Sequence, residues 1–358
     1  MDPTLKPKIT VVLLNWHESR QSEASHDVLI RPLSGAFTIA TRGVEWGRMP
    51  QVAEIDRDSQ AVVFFQTPPP AEFVRQSRCP VTWIPMWDSV YMRPQRWWNA
   101  LPPGLRVVAF SGSVAQRARA AGLPVFDIQY FCDPDSVEPV TWDAERVALY
   151  WNRTGLLSRT FLERFCAAFD IDRLLYKNRL DPGYGPAANL HLPAKLGKTR
   201  IEEIAHTESR EEYFRLIRPA NVVLAPRAYE GIGLTFLESL ARGSAVFACN
   251  SPTMNEYITH GVNGLLYPKV SHTPAALFVK RGVRKLRRVL RPVGIMPAGA
   301  LEQAVADVNW QGMAGQDLAA IGNRARADQA EGAARWQQAL ANYARFLVSE
   351  QPEFPSLM

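Results

Sequence analysis

Cysteine is scarce: the 358 residues hold four, Cys79, Cys132, Cys166 and Cys249, far apart and without any C-x-x-C pair. That spacing disfavours a zinc site or a disulfide framework, and free thiols in a reducing compartment are expected. Long apolar runs are also missing. Stretches such as Ile9 to Leu14 and Ala61 to Phe65 fall far short of the roughly 20 residues that cross a bilayer. No charged flank leads into a sustained apolar region and a small-residue cleavage site at the amino terminus, so no signal peptide is read and a cytoplasmic location is expected. H-E-x-x-H, G-x-S-x-G and the P-loop lysine motif are absent, which removes the support those chemistries would have. There is no short internal repeat and no low-complexity tract.

Apolar residues make up 47% and charged residues 21% of the chain, the balance of a globular protein rather than a disordered or fibrous one. At the usual 100–200 residues per domain, this length gives about two domains. The runs Ile9–Leu14, Ala61–Phe65, Val81–Ile84 and Arg106–Phe110 read as strands buried on both faces, as in parallel sheets. Ser111-Gly112-Ser113 then signals a helix start and Gly122 its end. After the acidic, proline-containing stretch Asp133 to Asp143, read as a linker, the alternation resumes. Strands are expected at Val147–Trp151, Arg173–Tyr176, Arg200–Ala205, Asn221–Ala225 and Ala245–Ala248, with helices at Leu156–Phe169, Glu211–Ile217 and Leu234–Ala241. Strands alternating with helices define an α/β class with parallel sheets. Domains are expected over 1–140 and 141–331. A final helix, with Trp336, Leu340, Tyr343, Phe346 and Leu347 on one stripe, belongs to segment 332–358.

The charge excess is small, 41 basic against 35 acidic residues, but concentrated. Lys280, Arg281, Arg284, Lys285, Arg287, Arg288 and Arg291 lie together with no acid among them, and Phe278, Val279, Val283, Leu286 and Leu290 recur at helical spacing. Segment 278–291 thus suits either an anionic membrane surface or a solvated basic helix packed on its own domain. Nucleic acid is not an expected partner, because no aromatics interleave with the charges.

The most informative stretch is Asn221 to Pro268. A strand stops at Pro226, Glu230-Gly231-Ile232-Gly233 forms a loop, and a helix starts near Leu234. In open parallel sheets ligands bind beyond the carboxyl ends of strands, and glycines let backbone amides come close to a phosphate. Glu230 and Glu238, eight apart, suit the acceptance of hydrogen bonds from vicinal hydroxyls. Asp170-Ile-Asp172 is a D-x-D of the kind that holds Mn or Mg, yet it falls between a helix and a strand at the wrong end of the sheet; no metal is expected.

Pro226, Glu230-Gly231-x-Gly233-Leu234, Leu237-Glu238, Gly243, Glu256, Gly261 and Gly264-Leu265-Leu266 together resemble the E-x7-E region of retaining GT-B glycosyltransferases, family four. The resemblance implies two Rossmann-like domains facing across a cleft, the last helix crossing back to the first. It also implies a nucleotide diphosphate sugar as donor, with no cofactor and no required metal. Glu230 would touch donor-sugar hydroxyls, Glu238 the ribose, and the amides of Gly231, Ile232, Gly233 and Leu234 the sugar and diphosphate. Asn152-Arg153 stands in the place of the family's Gly-Arg, and Arg159 where a Lys commonly follows. The first domain departs from the pattern. Asn15-Trp16-His17-Glu18 lacks the glycines of the family's loop, and Asp88 stands near where its His would fall. Asp88 either contacts a sugar hydroxyl or caps a turn; His17, Gln66 and Thr67 are further candidates for the acceptor side. The implied reaction is retaining hexosyl transfer to a hydroxyl of a bacterial surface polysaccharide or lipid-linked glycan, at the inner face of the membrane. The alternatives are a catalytically silent homologue and a sugar-nucleotide 2-epimerase.

Overall fold

The computed structural model describes residues 6–15, 28–45, 48–142, 145–181, 188–205, 207, 209–268 and 308–349. His17 and the basic segment 278–291 lie outside them. The chain divides into two units, the first made of residues 1–131, 230–234 and 331–358 and the second of 132–229 and 235–330.

The first unit is built on a six-stranded sheet in the order β2-β1-β3-β4-β5-β6. Its strands are β1 (Lys8–Leu14), β2 (Thr38–Val44), β3 (Ser59–Phe65), β4 (Val81–Ile84), β5 (Leu105–Ala109) and β6 (Val125–Asp127). Every pairing is parallel. The continuous apolar runs became the central strands because helices on both faces leave no side to water. β2 is an edge strand, with Thr38, Thr41 and Arg42 exposed, and its polar sequence conceals it. Helices α1 (Ala71–Gln76), α2 (Trp87–Val90), α3 (Gln95–Trp98) and α4 (Gly112–Ala120) lie between the strands. Gly122 ends α4 at φ +74°, where a left-handed residue is needed and glycine carries no Cβ penalty.

The second unit holds a seven-stranded sheet in the order β13-β12-β11-β7-β8-β10-β9. These strands are β7 (Val147–Asn152), β8 (Arg173–Asn178), β9 (Lys195–Leu196), β10 (Thr199–Glu203), β11 (Val222–Leu224), β12 (Ala245–Cys249) and β13 (Leu265–Tyr267). Only β9 runs antiparallel, as a short hairpin on β10. Helices α5 (Arg159–Ala168), α6 (Arg210–Ile217), α7 (Leu234–Arg242) and α8 (Trp310–Ala314) accompany it, and α9 (Leu318–Val348) is the last helix described. Phe161, Phe247, Tyr267 and Trp310 form an aromatic core, with Phe247–Tyr267 and Phe161–Trp310 ring centroids both 5.2 Å apart. Asn221 joins the entrances of β11 and β7. Its side chain accepts from the Val147 amide at 3.0 Å and donates to the Thr141 and Glu145 carbonyls at 3.1 and 2.9 Å.

Residues 318–330 of α9 belong to the second unit and 331–348 to the first. In the first unit Tyr343 stacks on Phe126 at 5.9 Å and Trp336 lies 6.0 Å from Phe110, so the stripe read from the sequence is a core face. Buried Arg106, within β5, donates to the Phe346 carbonyl at 3.0 Å. The stretch read as a linker, Asp133 to Asp143, is part of the second unit. The Val140 amide donates to the Arg242 carbonyl at 2.9 Å, and Arg242 returns a bond to the Glu138 carbonyl.

Burial pushes the Cys166 thiol from 9.0 up to about 11 and drives the buried Tyr343 phenol up as well. As pH rises past the ordinary values, the unfolded chain releases these protons while the folded chain keeps them, so stability falls with pH. The urea midpoint is expected to drop between about pH 8.5 and about pH 10.5; a level midpoint would contradict the burial of these groups.

Candidate functional site

In the second sheet the chain leaves β7 for β8 on one side and later returns to β11 on the other. The strand order therefore reverses at β7, and the crevice outside the carboxyl ends of β7 and β11 is the switch point where doubly wound sheets bind ligands. The residues that emerge there are Arg153, Thr154 and Gly155 after β7, and Ala225, Pro226 and Arg227 after β11. The Thr154 hydroxyl donates to the Pro226 carbonyl at 3.3 Å, tying the two loops together.

The turn after β7 is held by Asn152, whose side chain is fully buried. Its Nδ2 donates to Asn178 Oδ1 at 2.9 Å and to the Ala188 carbonyl at 3.0 Å, while its Oδ1 accepts from the Gly155 amide at 2.9 Å. Gly155 has φ +67°, and a Cβ there would lie 2.9 Å from the Ala188 Cβ. Glycine meets both the dihedral and the close approach. The buried amide thus fixes the direction in which Arg153 leaves the strand.

Arg153 Nε donates to Asp181 Oδ1 at 2.9 Å, and its guanidinium lies 4.8 Å from the Trp151 ring centroid. Asp181 Oδ2 accepts from Arg227, from Nε at 2.9 Å and from Nη2 as well. One carboxylate therefore bridges two guanidiniums. Buried Lys177, in β8, stands 4.0 Å from the Trp151 ring centroid and 4.7 Å from that of Tyr213. The Tyr213 hydroxyl is buried and without a hydrogen-bond partner among the described residues. Burial raises its pKa first, the charge of Glu238 adds to that, and Arg153 and Arg242 oppose it. Glu238, within α7, and Arg153 are thereby within electrostatic reach of one phenol.

Arg159 is not part of this group. Ser158 caps α5, accepting from the Phe161 amide at 3.1 Å, so the helix begins at Arg159 rather than at Leu156. From this first turn Arg159 Nε donates to Glu163 at 2.8 Å on the exposed face. An i,i+4 pair of this kind occupies the guanidinium locally. Both carboxylates of the D-x-D have neighbours of their own: Asp170, just past α5 at φ +54°, pairs with Lys198, and Asp172 Oδ2 accepts from the Arg146 amide at 2.9 Å.

In the first unit, the bend Glu230–Leu234 comes against the segment after β4. A Cβ on Gly231 would lie 3.0 Å from the Met86 Cβ and 3.3 Å from Asp88 Oδ1. Gly233 has φ +85°, and Glu230 and Ile232 are buried. Asp88 sits in the first turn of α2, so the structure brings it beside the glycine bend. Gln66, after β3, adopts φ +64°, and its carbonyl accepts from Trp83 Nε1 at 3.0 Å. The Thr67 hydroxyl is buried without a hydrogen-bond partner among the described residues.

Residues 195–281, which include Arg227, Glu230 and Glu238, match the model of the family "Glycosyl transferases group 1". No curated protein matches the chain in sequence. Among solved structures it is similar to sucrose-phosphate synthase from Thermosynechococcus elongatus, at 14% identity over 94% of this chain and 99% of that one, with TM-score 0.57. A glycosyltransferase from Rickettsia africae gives 14% identity, 97% and 100% coverage and TM-score 0.59. An Anabaena protein, HepE, solved in complex with UDP, gives 13% identity, 94% and 100% coverage and TM-score 0.50. The fold is therefore GT-B, an α/β fold of two Rossmann-like domains. Sequence reading missed Asp181 and Arg227. The only available signal was that the loop after β8 and the residue after Pro226 had to converge on Arg153 once the strand order was known.

Replacing Asn152 with Ala strands the Gly155 amide and the Ala188 carbonyl in a buried turn. A loss on the order of 2–3 kcal/mol is expected from urea unfolding, and an unchanged midpoint would show that the turn does not depend on this amide.

Proposed function

We propose that the chain is a glycosyltransferase that moves a sugar from a nucleotide diphosphate sugar to an acceptor hydroxyl. The observation that carries this reading is the glycosyltransferase group 1 match across 195–281, together with cations gathered at the switch point of the same sheet. Glu238 holds the ribose hydroxyls, Glu230 the donor-sugar hydroxyls, and the amides from Gly231 to Leu234 face the sugar and diphosphate. Arg153 neutralises charge that grows on the leaving diphosphate, an interaction stronger in the transition state than in the ground state. The departing phosphate oxygen takes the acceptor's proton on the same face, which retains the anomeric configuration without a covalent intermediate. Asp88 contacts a donor or acceptor hydroxyl, with Gln66, Thr67 and His17 on the acceptor side.

The donor sugar is a hexose type, and the acceptor a surface polysaccharide precursor or lipid-linked glycan. Segment 278–291, seven of whose residues are basic, suits an anionic membrane surface. Among the described residues no helix is long and apolar enough to cross a membrane. No metal is needed, since the arginines supply the positive charge. The absence of His between Pro85 and Asp88 favours, as a second reading, a homologue that binds a nucleotide sugar without turning it over.

Release of nucleoside diphosphate from a panel of donor sugars, with and without candidate acceptors, separates the readings. Acceptor-dependent release that survives EDTA is expected. Binding without turnover would leave the silent homologue, and acceptor-independent conversion of the donor would mean an epimerase. Glu238→Ala should weaken nucleoside diphosphate binding by about tenfold or more, the loss of charge-assisted bonds to the ribose. Unchanged affinity in calorimetry would remove Glu238 from the site.

A further inference from the structure

The family pattern places a second cation for the diphosphate at Arg159, but that guanidinium is exposed and engaged with Glu163 in its own helix. The geometry points to Arg227 as the second diphosphate-binding cation of this chain, and to Asp181 as the positioning residue that aims both arginines. The assignment rests on the donor reading above.

Three observations support it. First, Arg227 and Arg153 emerge beyond the carboxyl ends of adjacent parallel strands, β11 and β7, on the two sides of the switch point. Second, both are tied to one carboxylate, Asp181 Oδ1 to Arg153 and Oδ2 to Arg227. The three side chains are only 14–22% exposed, so water screens the two guanidiniums poorly and a phosphate brought against them is held more strongly than on an open surface. Third, the carboxylate takes the Nε edge of Arg153, and among the described residues neither of its terminal nitrogens has a hydrogen-bond partner. Those donors form the planar fork that fits phosphate oxygens. Buried Lys177 behind Trp151 adds positive charge to the same neighbourhood, with Glu238 as the further acid near Tyr213.

Asp181 acts through the arginines rather than on the ligand. Its carboxylate fixes both Nε edges, so the guanidinium planes are ordered before a diphosphate arrives and less side-chain entropy is lost on binding. Arg159 has no such second anchor and plays no part in binding.

Calorimetry with UDP, GDP and ADP and with the matching nucleosides tests this on the full chain. For the diphosphate that the wild-type protein binds, Arg227→Gln is expected to lower affinity at least about tenfold while leaving nucleoside affinity unchanged. Arg159→Gln should alter neither. Asp181→Asn should show the same selective loss, and Asp181→Glu should recover part of it, which a merely structural role would not produce. Thermal melts near the wild-type value confirm that the variants fold, and Arg227→Lys provides a milder variant where the Gln form melts early. The assignment is overturned if Arg227→Gln and Arg227→Lys bind the diphosphate like wild type, or if nucleoside affinity falls in parallel. Wild-type protein that binds none of the three diphosphates overturns the donor reading itself, a result distinct from the other two.

Discussion

The second sheet reverses its strand order at β7, and the chemistry of that unit follows from this reversal. A parallel strand with neighbours reached from opposite directions leaves a crevice at its carboxyl end that no crossover helix fills. Whatever follows β7 and β11 must meet there, although about 70 residues separate the two strands in sequence. Arg153 and Arg227 meet in that crevice, and a carboxylate from the loop after β8 joins them. The cost of gathering cations in a half-buried place is offset in part by Asp181 and by the Trp151 ring.

Around that crevice buried polar side chains fix the turns. Asn152 is buried at the end of β7, and its amide meets partners on β8, on the Ala188 loop and on the Gly155 turn. Those bonds fix the turn from which Arg153 leaves the strand. Arg242 has a comparable role at the far end of α7. Buried and bonded to the Glu138, Ile217 and Arg218 carbonyls, it closes the helix that carries Glu238.

Much of this was legible in the sequence, for identifiable reasons. Ile9–Leu14, Ala61–Phe65 and Val147–Trp151 are continuous apolar runs, and only a strand covered on both faces needs such a pattern. β2, β6, β9 and β13 were not legible. β2 is polar at an edge, β6 and β13 have three residues each and β9 two, too short for any period to register. The glycine bend could be read because its residue types are demanding: φ +85° at Gly233 and the close packing of Gly231 on Met86 both exclude side chains. Arg159 was named from the family resemblance, and the sequence did not show that Ser158 caps the helix there or that the guanidinium pairs with Glu163. Asp181 and Arg227 have no local signature at all. Their pairing spans 46 residues and exists only because the sheet order brings two loops together.

The most direct test is a crystal structure of the chain with a bound nucleoside diphosphate. The account requires the diphosphate oxygens within hydrogen-bond distance of Arg153 and Arg227, the ribose on Glu238, and Asp181 still joined to both arginines. A nucleotide seated elsewhere, or a diphosphate that leaves the Arg153–Asp181–Arg227 group without contact, would contradict it.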